Sequence, residues 1–363
     1  MSDIAPNTTR EGFASSSFLA KRLRPFLGYA IITLFAFLLM SVYILPLTYM
    51  FITAFKSEAM IGDPFAPLLW PAERNVYEYE GDEYDIYNVP LADGNTKQLA
   101  LVEKGREQSG FIDPANPDAG IIEWNGRWRA LEPGYAFRPQ FGNFATAWYD
   151  VDYPNLLRNT FILEFFGILG MVISSTMVAY GFARFRIPGE KLIFAILIGT
   201  LFIPRELINI PLVRYYTQLG WMGTMLPIIV PNFFANALYV FLLRQYFRTL
   251  PREVDEAAMI DGANPIRILI SIIVPQSIPI IVTVALLQFF FIWKDFFTPL
   301  LYLTTRRDLQ PISIGLRYLA SGFGADTTIV MAGAVIIILV PAIVFLLSNK
   351  YILQAASYLG VRK

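Results

Sequence analysis

EVDEAAMIDGANP, residues Glu253 to Pro265, lies between two long hydrophobic runs and carries four carboxylates. Pro251 suits the first turn of a helix, and Glu253, Asp255 and Glu256 fall where the positive end of the helix dipole favours negative charge. Gly262 is a natural C′ residue, Asn264 a good N-cap, and Pro265 fits N1 of a following helix. The spacing predicts a short helix, a turn, and a second helix that runs into the next apolar stretch. Val254, Ala257, Ala258 and Asp261 share one face of the first helix. Small side chains there let another protein approach closely, and the carboxylates at its margin can pair with basic groups on that protein. The competing reading is a helix lying at a lipid interface. Such a helix normally carries large hydrophobes and a Lys/Arg-rich polar face, whereas this one is acidic and alanine-rich, so docking to a cytoplasmic partner is the favoured reading.

The rest of the chain explains why such a loop needs a partner. Of 363 residues, 55% are hydrophobic and only 16% charged, which places the chain among membrane proteins. Formal net charge is zero, so no overall field draws the chain to nucleic acid. There is no cysteine and no histidine, which removes disulfides, thiol nucleophiles, Cys/His zinc sites and the commonest general base. No GxxxxGK[ST] phosphate loop occurs, so nucleotide hydrolysis by the chain itself is not expected, nor is a catalytic site, metal or cofactor.

A helix needs roughly 20 mostly apolar residues to cross about 30 Å of hydrocarbon. Six runs qualify: Leu27 to Phe51, Leu157 to Phe182, Leu192 to Ile210, Met222 to Leu243, Ile268 to Trp293 and Ile329 to Leu347. The third is interrupted at its far end by Pro204, Arg205, Glu206 and Asn209. The first is too long for a signal-peptide h-region and no small-x-small site follows it, so it is expected to stay attached. With the N-terminus inside, cytoplasmic segments carry fourteen Lys and Arg, including Arg10, Arg362 and Lys363, against six in the two short outer segments. The remaining nine lie in a loop too long to count. Both termini are therefore expected in the cytoplasm.

The domain division that follows is a cytoplasmic tail (1–26), a first transmembrane helix (27–57), an extracytoplasmic insert (58–140), a permease core (141–350) and a second cytoplasmic tail (351–363). The core contains the cytoplasmic loop 244–267. Between Ile61 and Gln140 fourteen Asp and Glu face seven Lys and Arg. The insert reads as β-rich: VYEYE and YDIY flank Gly81-Asp82, Asp93-Gly94 precedes TKQLALVEK, and Asn125-Gly126 sits within EWNGRW, each dipeptide offering the positive φ of a tight hairpin. Trp124, Trp128 and the tyrosines from Tyr77 to Tyr87 are either exposed anchors for an extracytoplasmic partner or the insert's own small core.

EAAMIDGANPIRILISIIVPQSIP closely resembles the EAA motif of permease subunits in bacterial ABC importers, through Glu256, Ala257, Ala258, Asp261, Gly262, Ala263, Pro275 and Pro279. FLLRQYFRTLP (241–251), AYGFARF (179–185), FGNFATAW with Asn159-Thr160, Pro204 to Pro211, Trp293 to Phe296 and the terminal GVRK resemble the six-span permease of the maltose-type carbohydrate importers. The resemblance covers the first span and everything from about Phe141 on; the insert has no counterpart in the ordinary six-span member, and Lys294 stands where the family usually has Asn. It implies an all-α polytopic fold of ABC importer type with the small β-rich domain inserted between the first two spans. It also implies a second permease subunit, two ATPase subunits that bind ATP and Mg, an extracytoplasmic solute-binding protein, and a sugar crossing the cytoplasmic (inner) membrane among its lipids. Glu256 to Ala263 become the coupling helix seated on the ATPase.

Polar groups inside spans are costly and so informative. Glu164, Asn209, Asn236 and Gln288 are the candidates for the substrate pathway, with helix-to-helix hydrogen bonding as the alternative for each. A secondary transporter or channel without ATPase partners, or an ABC permease for a non-sugar solute, are the rival functions. The former predicts inverted repeats and several intramembrane carboxylates, of which only Glu164 is evident.

Overall fold

The computed structural model describes residues 14–91, 94–321 and 325–358. Arg10, Asp93 and the terminal GVRK lie outside the described residues. The chain forms two compact units, one comprising the N-terminal helix and residues 64–138, the other residues 54–63 and everything from Pro139 onward.

In the first unit a helix spans Ala14–Thr53, and its stretch Gly28–Thr53 has a mean hydropathy of 2.4. Within Gly28–Thr53 its large side chains are mostly exposed, Leu34, Phe37 and Val42 among them. Apolar residues on every side are what a helix surrounded by lipid requires. Two of its hydroxyls bond back to the helix: Ser41 donates to Phe37 O (2.8 Å) and Thr48 to Ile44 O (3.0 Å).

Residues 72–137 build the expected β-rich domain. Five strands form an antiparallel path: β2 (Val76–Tyr79), β3 (Asp82–Pro90), β4 (Thr96–Glu103), β5 (Gln108–Ile112) and β6 (Ile122–Asn125). The two-residue β7 (Glu132–Pro133) also pairs with β3, and β1 (Ala72–Arg74) pairs separately with β8 (Tyr135–Phe137). The first hairpin turns on Glu80-Gly81, both at positive φ (54° and 91°), one residue earlier than the sequence suggested, because Asp82 is already paired with Tyr79. Asn125-Gly126 makes no hairpin. Gly126 instead donates to Glu107 O (2.7 Å) and closes the end of β6.

Trp124 and Trp128 belong to the domain's own core. Trp124 meets Phe111 edge-on (centroids 6.2 Å apart) and donates its indole N–H to Pro90 O (3.1 Å), while Trp128 meets Tyr87 edge-on at 6.0 Å. With Val89, Leu99, Leu101 and Leu131 they form the apolar cluster that holds the sheet. Lys97 on β4 pairs with Asp113 just beyond β5, and this contact holds the Asp113 carboxyl below the usual carboxylate range.

The second unit is organised around the helix Tyr153–Arg184. Its inward stripe runs Leu156, Thr160, Leu163, Gly167, Gly170, Met171 and Ser175, the 3–4 spacing of one helix face. Gly170 is required by close packing: a Cβ there would come within 3.0 Å of three atoms of the Phe233 ring. The apolar core next to this helix gathers residues from Ala237–Phe247 and Ile278–Lys294.

Four described helical stretches are long and apolar enough to cross a membrane, or six if each of two bent pairs counts as one span. The bends modify two of the expected spans. The third stops at Phe202, and its continuation from Leu207 is turned by 97°, consistent with Pro204 interrupting the run. The helix after the turn does not run straight into the fifth span either: Pro265–Gln276, with a π-helical turn at Leu269–Ile273, meets Ile278–Lys294 at 84° across Ser277. Pro279 has no N–H for a continuous ladder, so the chain restarts a helix there with proline in its first turn.

Candidate functional site

The EAA segment folds as its sequence specifies. A helix covers Glu253–Ile260 with Glu253, Asp255 and Glu256 in its first turn. It ends in a Schellman motif: Ala263 N–H donates to Ala258 O (2.9 Å) and Gly262 N–H to Met259 O (3.0 Å), with Gly262 at φ 78°. Asn264 then caps the next helix by accepting from Arg267 N–H (2.8 Å).

The helix does not present the expected face in full. Val254, Ala257 and Asp261 are exposed, together with Glu256, Met259 and Ile260, but Ala258 is buried in the same core cluster as Phe247 and Ile268. Ala258 therefore packs inward, on the side attached to the core, and Ala263 is half-buried beside it.

The attachment side carries an ion pair. Arg184, the last residue of the Tyr153–Arg184 helix, places Nε 2.6 Å from Asp255 Oδ2, and both side chains are more than nine-tenths buried. Arg184 also donates to Leu250 O (3.2 Å). Burial pushes the Asp255 carboxyl above its ordinary range, and the guanidinium groups of Arg184 and Arg252 pull it only part of the way back. On the Ala237–Phe247 helix that precedes this loop, Arg244 donates to Glu190 (2.6 Å) and to Phe182 O (3.3 Å), and its guanidinium lies 4.2 Å from the Phe194 ring centre. The two arginines thus fix the short helix and its lead-in to the end of the central helix. In the sequence these arginines counted only as cytoplasmic positive charges. The missed signal was Asp255 and Ala258, three apart on the helix and both inward.

The candidates for a substrate pathway separate. A cavity of about 560 Å³ is lined by Asn209 and Asn232 among its polar groups, together with Lys294, Asp295 and several aromatic rings. Gln288 does not line it. It is buried behind it and donates to Asn232 Oδ1 (3.0 Å), while Asn232 donates to Ile228 O (2.8 Å), so Gln288 fixes the orientation of a lining amide. Asn236 lies outside the cavity lining and is an N-cap, accepting from Leu238 N–H (2.9 Å). Glu164 is 3% exposed and outside the lining, and neither of its oxygens has a hydrogen-bond partner among the described residues. Asn159, quoted above for its resemblance, bridges to Asp308 O (2.8 Å) and Gln310 O (3.0 Å).

Residues 162–358, which contain both the EAA segment and the cavity, match the family described as binding-protein-dependent transport system inner membrane component. The chain belongs to this family. It is a multi-pass membrane permease whose curated relatives carry transport names. The osmoprotective compounds uptake permease protein GgtD of Synechocystis is 31% identical over 257 residues, 67% of this chain and 82% of the relative. The melibiose/raffinose/stachyose import permease protein MelC of Bacillus subtilis is 32% identical over 222 residues, 60% and 79% of the two chains. The permease shares its fold with a chain of a crystallised bacterial ABC transporter involved in the import of the acidic polysaccharide alginate, at a TM-score of 0.63, 18% identity, and coverage of 96% and 99%.

Proposed function

We propose that this permease is one transmembrane subunit of an ATP-driven, binding-protein-dependent sugar importer. It forms half of the translocation pathway together with a second permease, and two ATPase subunits supply ATP hydrolysis. The chain itself holds neither ATP nor Mg. The relatives' names favour sugar as cargo: MelC is named for melibiose, raffinose and stachyose, and AglG of Rhizobium meliloti, 31% identical over 192 residues, for α-glucosides. Both bent pairs count as spans in this reading, giving six, with both termini cytoplasmic and the β-rich domain outside, where a solute-binding protein delivers sugar.

The observation that carries the reading is the Glu253–Ile260 helix. It exposes Val254, Ala257, Met259 and Ile260 on one side and is pinned on the other by the buried Arg184–Asp255 pair. A short helix that is rigidly tied inward and exposes small, apolar and acidic side chains outward suits transmission of a partner's movement. Glu256, Ala257, Asp261 and Gly262 form its docking margin.

The test is co-purification from native membranes with and without Gly262→Trp. The φ of 78° at Gly262 strains any side chain, so the turn changes angle and the ATPase is lost or uncoupled. If the wild type purifies without an ATPase and Gly262→Trp transports normally, the reading fails and a secondary transporter takes its place.

A further inference from the structure

Tyr246 and Gln276 are 30 residues apart, one in the last turn of the Ala237–Phe247 helix and the other at the end of Pro265–Gln276, and the Tyr246 hydroxyl donates to Gln276 O (3.0 Å). Between them lie the Glu253–Ile260 helix, the Gly262 turn, the Asn264 cap and the π-helical turn. The bond closes this whole stretch on itself at the point where the chain bends by 84°. Near the start of the stretch the Thr249 hydroxyl donates back to Tyr246 O (2.7 Å), and further along Arg184 holds Asp255.

A helix carbonyl accepts from the N–H four residues on, so in an unbroken helix Gln276 O would take the N–H of Ile280. The ladder is interrupted at Ser277, and the next helix starts with Ser277 O accepting Ile281 N–H (3.0 Å). In an apolar span a carbonyl released in this way has to find another donor. Ser277 carries a hydroxyl at the break itself, but its Oγ is buried and has no hydrogen-bond partner among the described residues. Tyr246 reaches across from the neighbouring helix instead. A buried tyrosine hydroxyl seeks an acceptor in any case, and that alone would account for a bond to some nearby carbonyl. It would not account for the choice of the carbonyl that the break sets free. Opening the bend would let Ile280 N–H compete for Gln276 O and strand the tyrosine hydroxyl in the core. Packing adds to the fastening, since Tyr246, Phe247, Ile273 and Ile280 belong to one apolar cluster that includes both sides of the bend.

We propose that Tyr246 is a positioning residue of the transport cycle: acting through the Gln276 carbonyl, its hydroxyl fixes the angle at Ser277, so that residues 246–294 move together when an ATPase engages the Glu253–Ile260 helix. The inference rests on the importer reading above for the source of that movement.

The chain has no cysteine, so Ile266→Cys and Leu287→Cys, both at exposed positions and on either side of the bend, give it two unique spin-label sites. A bend of 84° puts these positions about 23 Å apart and a straight helix about 31 Å, at 1.5 Å per residue. The test is pulsed dipolar spectroscopy on the intact co-purified complex, with the cysteines of the other subunits replaced. The labelled chain with Tyr246 intact should give one narrow distance distribution, the same without nucleotide and with ATP and vanadate. Tyr246→Phe should broaden it by several ångström toward the longer value. Ser277→Ala, which removes a buried hydroxyl from the same bend without removing a bond, should leave it narrow; a general loosening of the core would not separate these two variants. A distance that shifts with ATP and vanadate while Tyr246 is intact, or Tyr246→Phe with an unchanged distribution, would overturn the proposal, and the nucleotide comparison decides even where Tyr246→Phe fails to assemble. Absence of an ATPase from the preparation would overturn the importer reading instead, and the comparison of Tyr246→Phe without nucleotide would still decide whether the hydroxyl fixes the bend.

Discussion

Replacing Arg184 by Met tests whether the buried pair holds the short cytoplasmic helix in place. The side chains of Arg184 and Asp255 keep 6% and 8% of their surface exposed, and Nε and Oδ2 are 2.6 Å apart. At an effective dielectric near 20, two unit charges about 4 Å apart attract by about 4 kcal/mol, an attraction largely offset by desolvation of both groups. Removing one partner keeps the desolvation and loses the attraction. Asp255 Oδ1 already lacks a hydrogen-bond partner among the described residues, so Arg184→Met leaves the carboxyl with Arg252 as the remaining guanidinium acting on it. The expected cost is about 3–5 kcal/mol, as is that of Asp255→Leu alone. The double variant Arg184→Met/Asp255→Leu should recover most of it, because an apolar pair of similar volume carries no desolvation penalty. In a thermal melt of the purified complex each single variant drops on the order of 10 °C, and the double variant returns to within a few degrees of wild type. ATPase co-purification should follow the same order. Single variants that each cost under about 1 kcal/mol, or a double variant no better than the worse single, would refute the pinning argument.

Two glycines of the central helix should respond in opposite directions. Gly170→Ala places a Cβ within 3.0 Å of three Phe233 ring atoms and should lower the melting temperature, at a cost of about 1–3 kcal/mol. Gly181→Ala meets nothing within 4 Å and should stabilise by about 0.5–1 kcal/mol, measured in the same melts. In the β-rich domain the Asp113 carboxyl is depressed by its hydrogen bond from Lys97, so its contribution is present above the unfolded carboxylate pKa and is lost as pH falls through the folded value. Tryptophan fluorescence of Trp124 and Trp128 should therefore report a melt that weakens in acid. Asp113→Asn should flatten that dependence; an unchanged acid limb would remove Asp113 as its source.

The EAA segment was legible because its code is local. The acidic first turn, Gly262, Asn264 and Pro265 each act within a few residues, and the structure realises each one, whereas Pro251 falls outside the helix, just ahead of its N-cap Arg252. The β-rich domain was legible in kind for the same reason, through alternation and turn dipeptides. Position along the chain was not enough elsewhere. Asn236 and Gln288 look alike as polar residues inside apolar runs, yet one caps a helix and the other orients Asn232, a difference set by which helix end or neighbour each meets. Trp124 and Trp128 could be anchors or core until β5 and β3 supplied Phe111 and Tyr87 beside them. The breaks at Pro204 and Ser277 interrupt apolar runs that hydropathy reads as continuous, since a window average records composition and not direction.

The 84° elbow at Ser277 gives the molecule a lever. The arm Pro265–Gln276 is about 18 Å long at 1.5 Å per residue and starts directly after the Asn264 cap. A helix resists compression along its axis far better than tilting, and the arm meets its neighbour almost at a right angle. A push delivered at Asn264 therefore arrives at Ile278 as a sideways thrust that swings the Ile278–Lys294 helix instead of driving it along its length. Lys294 is at the far end of that helix, about 25 Å from the elbow by the same rise, so a few degrees of swing displace the cavity wall it belongs to by an ångström or more.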